Sequence, residues 1–235
     1  MRYVLNKMIE IYILGGLCLF LAYVLKWLIN IVINEWKKQR VMSSQSPIAL
    51  KTRKGLVPFT FDCEDQHITL RTRPVNGNIH FVPTTKIVID TSLVQSFVLQ
   101  QLHFHYPSEH TVDGHIFPAE LHAVFRSSED CNVVLARCLA LGEQPVWTAH
   151  DNILTAFKSG TVTLNAQELF SPSKDGWLMY TGSLTTPPYA ENVTWFVSQT
   201  PLVVSDTFLR TLEAHFNSNA RRIQPCNGRH IVAFL

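Results

Sequence analysis

Gln101-Leu-His-Phe-His-Tyr-Pro-Ser-Glu-His110 is the stretch that decides how the chain is read. Alternate side chains on a strand share a face. An extended reading therefore puts His103 and His105 on one side with Gln101, and Leu102, Phe104 and Tyr106 on the other side as core. Two imidazoles on one strand can converge on a single ion, and a third ligand must come from a neighbouring strand. Glu120-Leu-His-Ala-Val124 supplies it. His122 shares a face with Glu120 and Val124, while Leu121, Ala123 and Phe125 face the core, and Gly114 offers the turn for an antiparallel return. Three neutral imidazoles with a fourth position open form the donor set of catalytic zinc, which lowers the pKa of a bound water to about 7. Ligating histidines donate their second ring N–H to an acceptor. Gln101 and Glu120, each two residues before a histidine and on its face, suit that role.

Outward from this centre, short β-rich runs recur between turn signals: Ile68–Arg73, Ile79–Val82, Lys86–Ile89, Phe97–His105, Glu120–Phe125, Asn132–Leu141, Trp177–Tyr180, Val193–Val197 and His230–Phe234. Helical patterns are few, at Trp147–Phe157 and Ser205–Phe216, with Ser205 or Asp206 suited to cap the second. The expected fold class is mainly β (α+β). It is a large twisted, mostly antiparallel central sheet with a few peripheral helices, preceded by one N-terminal transmembrane helix. No internal repeat and no second globular domain is visible. With 235 residues, 46% apolar and only 16% charged, the chain can bury a substantial core and is not disordered. Five cysteines without a CxxC do not make a disulfide framework.

Charge is uneven. The net +2 divides into +4 over the first forty residues and −2 over the rest, with no basic stripe, which argues against nucleic acid as a partner. Ile11 to Ile33 is an apolar run of 23 residues broken only by Lys26 and Asn30. As a helix it spans about 34 Å, against about 30 Å for a bilayer core. Lys37, Lys38 and Arg40 close it as a basic collar. Residues 1–40 are thus expected to be a membrane anchor, uncleaved because Val41-Met42-Ser43-Ser44 is a poor cleavage site, and 41–235 the catalytic domain. Two basic residues precede the run and three follow it, a bias toward a cytoplasmic body.

The runs LHFHYPSEHTVDG, FPAELHAVF and YTGSLTTPPYAENVTWFV resemble the α-class carbonic anhydrase family. The resemblance extends from Gln45-Ser-Pro-Ile48 to Asn219-Ala-Arg-Arg-Ile-Gln-Pro-Cys-Asn-Gly-Arg229. It implies reversible hydration of CO2 to bicarbonate and a proton, with Zn2+ on His103, His105 and His122. It also implies that Gln101, Glu120 and the backbone carbonyl of Asn219 orient those ligands. Thr185 would accept from the attacking hydroxide and donate to buried Glu109, and Thr186 would help hold bicarbonate or an inhibitor. Val124, Val134, Leu184, Val193 and Trp195 would form the apolar wall against which CO2 rests. Sulfonamides and small anions are implied as inhibitors, and an extracytoplasmic catalytic domain is implied against the bias of the flanking charges.

Three departures stand out from the family pattern. The aromatic-containing N-terminal lobe that usually precedes QSPI is not seen between the apolar run and Gln45. Asn76-Gly77-Asn78 puts an amide where the family often has a proton-shuttling histidine, leaving His80 or His67 as substitutes. Tyr189 stands where many secreted bacterial relatives carry a disulfide-bonded cysteine. Two other readings remain open: a carbonic-anhydrase-like surface binding or adhesion protein with weak or no catalysis, and a cupin-type oxygenase suggested by His103-x-His105-x3-Glu109. The latter would recruit Glu109 as a ligand and prefer iron or manganese.

Overall fold

Period-two burial organises the chain. In Ala119–Arg126, Leu121, Ala123 and Phe125 are buried in one cluster while Val124 packs against another. The computed structural model describes residues 44–235, except positions 56, 57, 59, 77, 92–94, 130, 144–146, 148, 171–174 and 217. The expected anchor lies outside the described residues, among which no helix is long and apolar enough to cross a membrane.

In chain order the strands are β1 (Ala49–Leu50), β2 (Phe61–Cys63), β3 (His67–Val75), β4 (Asn78–Pro83), β5 (Val88–Thr91), β6 (Gln95–His105), β7 (Thr111–Val112) and β8 (His115–Ile116). They continue with β9 (Ala119–Arg126), β10 (Asn132–Leu141), β11 (Thr161–Asn165), β12 (Trp177–Ser183), β13 (Glu191–Ser198), β14 (Leu202–Val204) and β15 (Val232–Phe234). The helices are α1 (Ala149–Ser159), α2 (Ala166–Phe170) and α3 (Asp206–Phe216). Ser205 caps α3, its hydroxyl oxygen accepting from the Phe208 N–H at 3.2 Å.

One large sheet runs β11-β3-β4-β6-β9-β10-β13-β12-β15, with β5 also on β6, β2 on β5 and β14 on β10. Most pairings are antiparallel, as the alternation implies, but β10 pairs parallel with both β13 and β14, so the sheet is mixed. β7 and β8 close on Asp113 and Gly114, at φ 51° and 80°, the left-handed pair that a two-residue hairpin demands. α2 and β14 are too short to show a period in sequence, whereas β11 alternates over its five residues but is not among the expected runs.

The sheet has two unlike faces. One carries the larger apolar cluster, with Leu102 and Phe104 of β6 and Leu121 and Phe125 of β9 against α1, α2 and α3. The other carries a smaller cluster containing Val134, Tyr180, Val193 and Trp195, to which Ile48 and Leu50 belong. Gly182 is required on this side, because a Cβ there would collide with the Ser46 hydroxyl.

Candidate metal and active site

Antiparallel register sets His103 of β6 directly opposite His122 of β9, and His105 opposite Glu120. All three predicted ligands therefore leave the same face of two adjacent strands, held from behind by Leu102, Phe104 and Leu121 in the core. His103 Nδ1 lies 2.8 Å from Gln101 Oε1. An amide oxygen only accepts, so Nδ1 carries the hydrogen and Nε2 a lone pair. His122 Nε2 likewise donates to Glu120 Oε1 at 2.8 Å, leaving Nδ1 bare. His103 Nε2 and His105 Nε2 face each other at 2.9 Å, and one nitrogen from each of the three rings lies within 4.8 Å of the others. Tetrahedral ligands about 2.05 Å from zinc would stand about 3.3 Å apart, so the trio is close to the spacing zinc needs. Burial, with the neighbouring imidazoles adding to it, holds His103 and His105 well below the ordinary histidine value; burial also lowers His122. The neutral form is the one that binds metal. This donor set fits zinc.

Glu120 organises the far side. Its Oε2 accepts the backbone N–H groups of Glu109 and His110, each at 2.8 Å. Its Oε1 accepts from His110 Nδ1 at 2.6 Å as well as from His122. Burial alone would raise this carboxyl, yet His110, His122 and their hydrogen bonds hold it well below the usual range. His110 Nε2 continues to the Tyr180 hydroxyl at 2.7 Å, which lies 2.9 Å from the Ser46 hydroxyl. His110 and Glu120 also lie near one another as metal-type side chains, but their polar atoms are committed to this hydrogen-bonded chain.

Glu109 has the opposite environment. Its Oε1 accepts the Arg221 N–H at 2.8 Å, while Oε2 has no hydrogen-bond partner among the described residues. Burial pushes its carboxyl up to about 8; nearby Glu120 adds to the rise, and the Arg221 N–H and the Thr185 side chain oppose it. His105 Nδ1 lies 3.4 Å from Glu109 Oε1 with the Asn219 backbone oxygen nearby, but has no hydrogen-bond partner among the described residues.

A cleft of about 180 Å³ opens over the trio. Gln101, Asn78 and His80 line one part of it, and Val124, Val134, Leu184 and Trp195 line an apolar part beside Thr185 and Thr186. The Trp195 ring is fixed by its N–H to the Ser183 carbonyl at 3.0 Å. Val193 is not among the lining residues: it shares a face of β13 with Trp195 and pairs with Asn132 of β10, but it is wholly covered by its neighbours in the smaller apolar cluster. His67 begins β3 opposite Asn165 and is likewise outside the lining, whereas His80 sits 5.3 Å, ring to ring, from His103. Tyr189 is covered by the Arg221 guanidinium, 3.7 Å above its ring. Asn132 lines the cleft unforeseen, although it shares a face of β10 with Val134. His110 was missed too, though it directly follows Glu109.

The Glu109 environment carries a pH signature in the metal-free protein. A carboxyl raised from its ordinary 4.5 to about 8 stabilises the fold fully below 4.5, and that contribution is lost as pH rises toward 8. Urea midpoints in a chelator should therefore fall between pH 5 and 8 for the wild type relative to Glu109→Gln. Parallel profiles for the two proteins would contradict this assignment.

The model of the eukaryotic-type carbonic anhydrase family matches residues 33–234. A carbonic anhydrase of Nostoc sp. is 38% identical over 144 residues, covering 59% of this chain and 54% of that relative, so the match spans about half of its length. The solved alpha-carbonic anhydrase of Photobacterium profundum superposes with a TM-score of 0.69 at 32% identity, over 81% of this chain and 89% of that one. The Thermovibrio ammonificans alpha-carbonic anhydrase, solved with the inhibitor sulfanilamide, gives 0.69 at 25% identity, over 81% and 87%. A strand pair that brings three imidazole nitrogens together beneath a half-apolar cleft, and a family match across most of the sequence, lead to one conclusion: this chain belongs to the eukaryotic-type, or alpha, carbonic anhydrase family.

Proposed function

We propose that the chain catalyses reversible hydration of CO2 to bicarbonate and a proton, with Zn2+ held by His103, His105 and His122. The observation that supports it most is the tautomer arrangement: the outward N–H groups of His103 and His122 are committed to Gln101 and Glu120, so their bare nitrogens turn toward His105. Zinc held there supplies Lewis acidity that lowers the pKa of a bound water to about 7.

The chain's own residues do the remaining work in this reading. Val124, Val134, Leu184 and Trp195 receive CO2, which is apolar and offers little to hydrogen-bond. Thr185, nine per cent exposed, stands between the cleft and Glu109. With Glu109 ionised, the Thr185 hydroxyl donates to it and keeps its lone pairs for the attacking oxygen's hydrogen, which aims the attack at carbon. Positive charge among the three imidazoles draws Glu109 toward that ionised form. Thr186, exposed at the rim, is placed to hold bicarbonate or a sulfonamide. Proton export is the slow part. Asn78 cannot titrate near neutral pH. His80, the one imidazole besides the trio in the lining among the described residues, is pushed below its ordinary value by burial and by Arg73. It is the carrier, but it takes up protons reluctantly.

Measured on the full-length protein, zinc content should approach one per chain and CO2 hydration should rise with added imidazole. Thr185→Ala should keep its zinc while losing about 100-fold in kcat/KM. His80→Ala should lower kcat severalfold in dilute buffer, leave KM unchanged and be rescued by imidazole. A folded protein with neither zinc nor activity would support the surface-binding reading instead.

We also propose that Ile11–Ile33 anchors the chain in a membrane, with the catalytic domain extracytoplasmic as the family resemblance implies and against the bias of the flanking charges. The chain should resist alkaline carbonate extraction, and its catalytic domain should be cut by protease added outside intact cells; extraction into the soluble fraction would contradict the anchor.

A further inference from the structure

β4 and β6 are in antiparallel register at Phe81 and Leu102. Continuing that register by three residues sets Asn78 opposite His105. Asn219 places its amide at this end of β6. Its Oδ1 accepts the Tyr106 N–H at 2.9 Å and its Nδ2 donates to the Phe104 carbonyl at 3.0 Å, so the side chain grips the backbone on both sides of His105. These two backbone partners also fix which end of the amide is oxygen, because an N–H can only donate and a carbonyl can only accept. The second hydrogen on Nδ2 then needs an acceptor, and it finds Asn78 Oδ1 at 3.1 Å. His105 Nδ1 has no hydrogen-bond partner of its own among the described residues, so the ring depends on the backbone on either side of it for its placement, and the Asn219 backbone oxygen lies near it.

We infer that Asn78 is a positioning residue for the metal trio: by accepting the second N–H of Asn219, its amide oxygen locks the Asn219 side chain across the end of β6 and thereby holds His105 in place. Position 78 thus has a structural demand of its own. It must present an acceptor at all working pH values without placing a charge in the cleft. A neutral amide does this, whereas an imidazole accepts through a ring nitrogen only while unprotonated. The inference rests on the zinc reading only where it concerns His105 as a ligand.

The test compares the full-length wild type with Asn78→Ala and Asn78→Asp, which keeps an acceptor oxygen at the same reach. Two quantities are read: hydrogen exchange at the Tyr106 amide in the metal-free protein, and the rate of zinc release to a chromogenic chelator. Asn78→Ala should speed both by about tenfold, in line with losses seen when a ligand's supporting partners are removed. Asn78→Asp should stay within about threefold of the wild type in exchange and release zinc no faster. If Asn78→Ala does not fold, Asn78→Ser, too short to reach Asn219, takes its place. Unchanged Tyr106 exchange in the truncated variant, or an Asp variant as impaired as the Ala variant, would overturn the inference. A wild type that takes up no zinc would overturn the zinc reading, and Tyr106 exchange alone would then decide the clamp.

Discussion

The site depends on one buried carboxylate. Glu120 accepts four N–H groups, two from the backbone of Glu109 and His110 and two from the rings of His110 and His122. With that one contact it fixes the His122 tautomer, pins the loop after β6 onto β9, and starts a polar chain through His110 and Tyr180 to Ser46. Removing the carboxylate would leave buried donors unpaired, each at a cost of about 1–3 kcal/mol. Local ligand geometry and the attachment of the N-terminal Gln45–Ile48 segment therefore share a dependency. The Arg221 guanidinium reinforces that attachment, donating to the Ser46 carbonyl at 2.7 Å and to Gln45 Oε1 at 2.9 Å, while the Arg221 backbone N–H serves Glu109.

The sheet lets opposite chemistries lie back to back. Along β6 the side chains alternate between a core face, where Leu102 and Phe104 are almost fully buried, and the face that carries Gln101, His103 and His105. A one-residue slip would exchange the two sets. Register is thus doubly specified, by the apolar cluster on one side and by the His103–His122 pairing on the other. Small changes in ligand spacing are resisted by packing that never touches the cleft.

Period-two alternation made the centre of this arrangement legible in sequence. It gave the shared face of His103, His105 and His122 and the acceptors Gln101 and Glu120 in phase with them, while the limits of β10 at Asn132 and Leu141 were legible as a near-continuous apolar run between turn signals. What it could not give was anything made by distant segments meeting. Asn219 lies far from β6 in sequence, so its side-chain grip on Phe104 and Tyr106 has no local signature. The residues carried over by family resemblance fared unevenly for the same reason. Thr185, Thr186 and Trp195 reach the cleft, whereas Val193, on the same face of β13 as Trp195, is wholly covered by neighbours that come from other strands. The parallel β10–β13 pairing was equally invisible, because strand direction is set by the connections between strands and leaves no mark on alternation.

Two carboxyls from adjoining parts of the site are driven in opposite directions, and their environments explain the division. Four donors hold the Glu120 carboxyl well below the usual range even when fully enclosed, whereas Glu109, with fewer donors and an anion beside it, is pushed up to about 8. Burial holds the three histidines below their ordinary value, toward the neutral form. A dication held there would favour the ionised form of Glu109, because positive charge nearby lowers a carboxyl's pKa. Under the proposed function, that ionised form is the one that gives the Thr185 hydroxyl an acceptor for its hydrogen. On that reading, the orientation ascribed to Thr185 is coupled to metal occupancy through electrostatics.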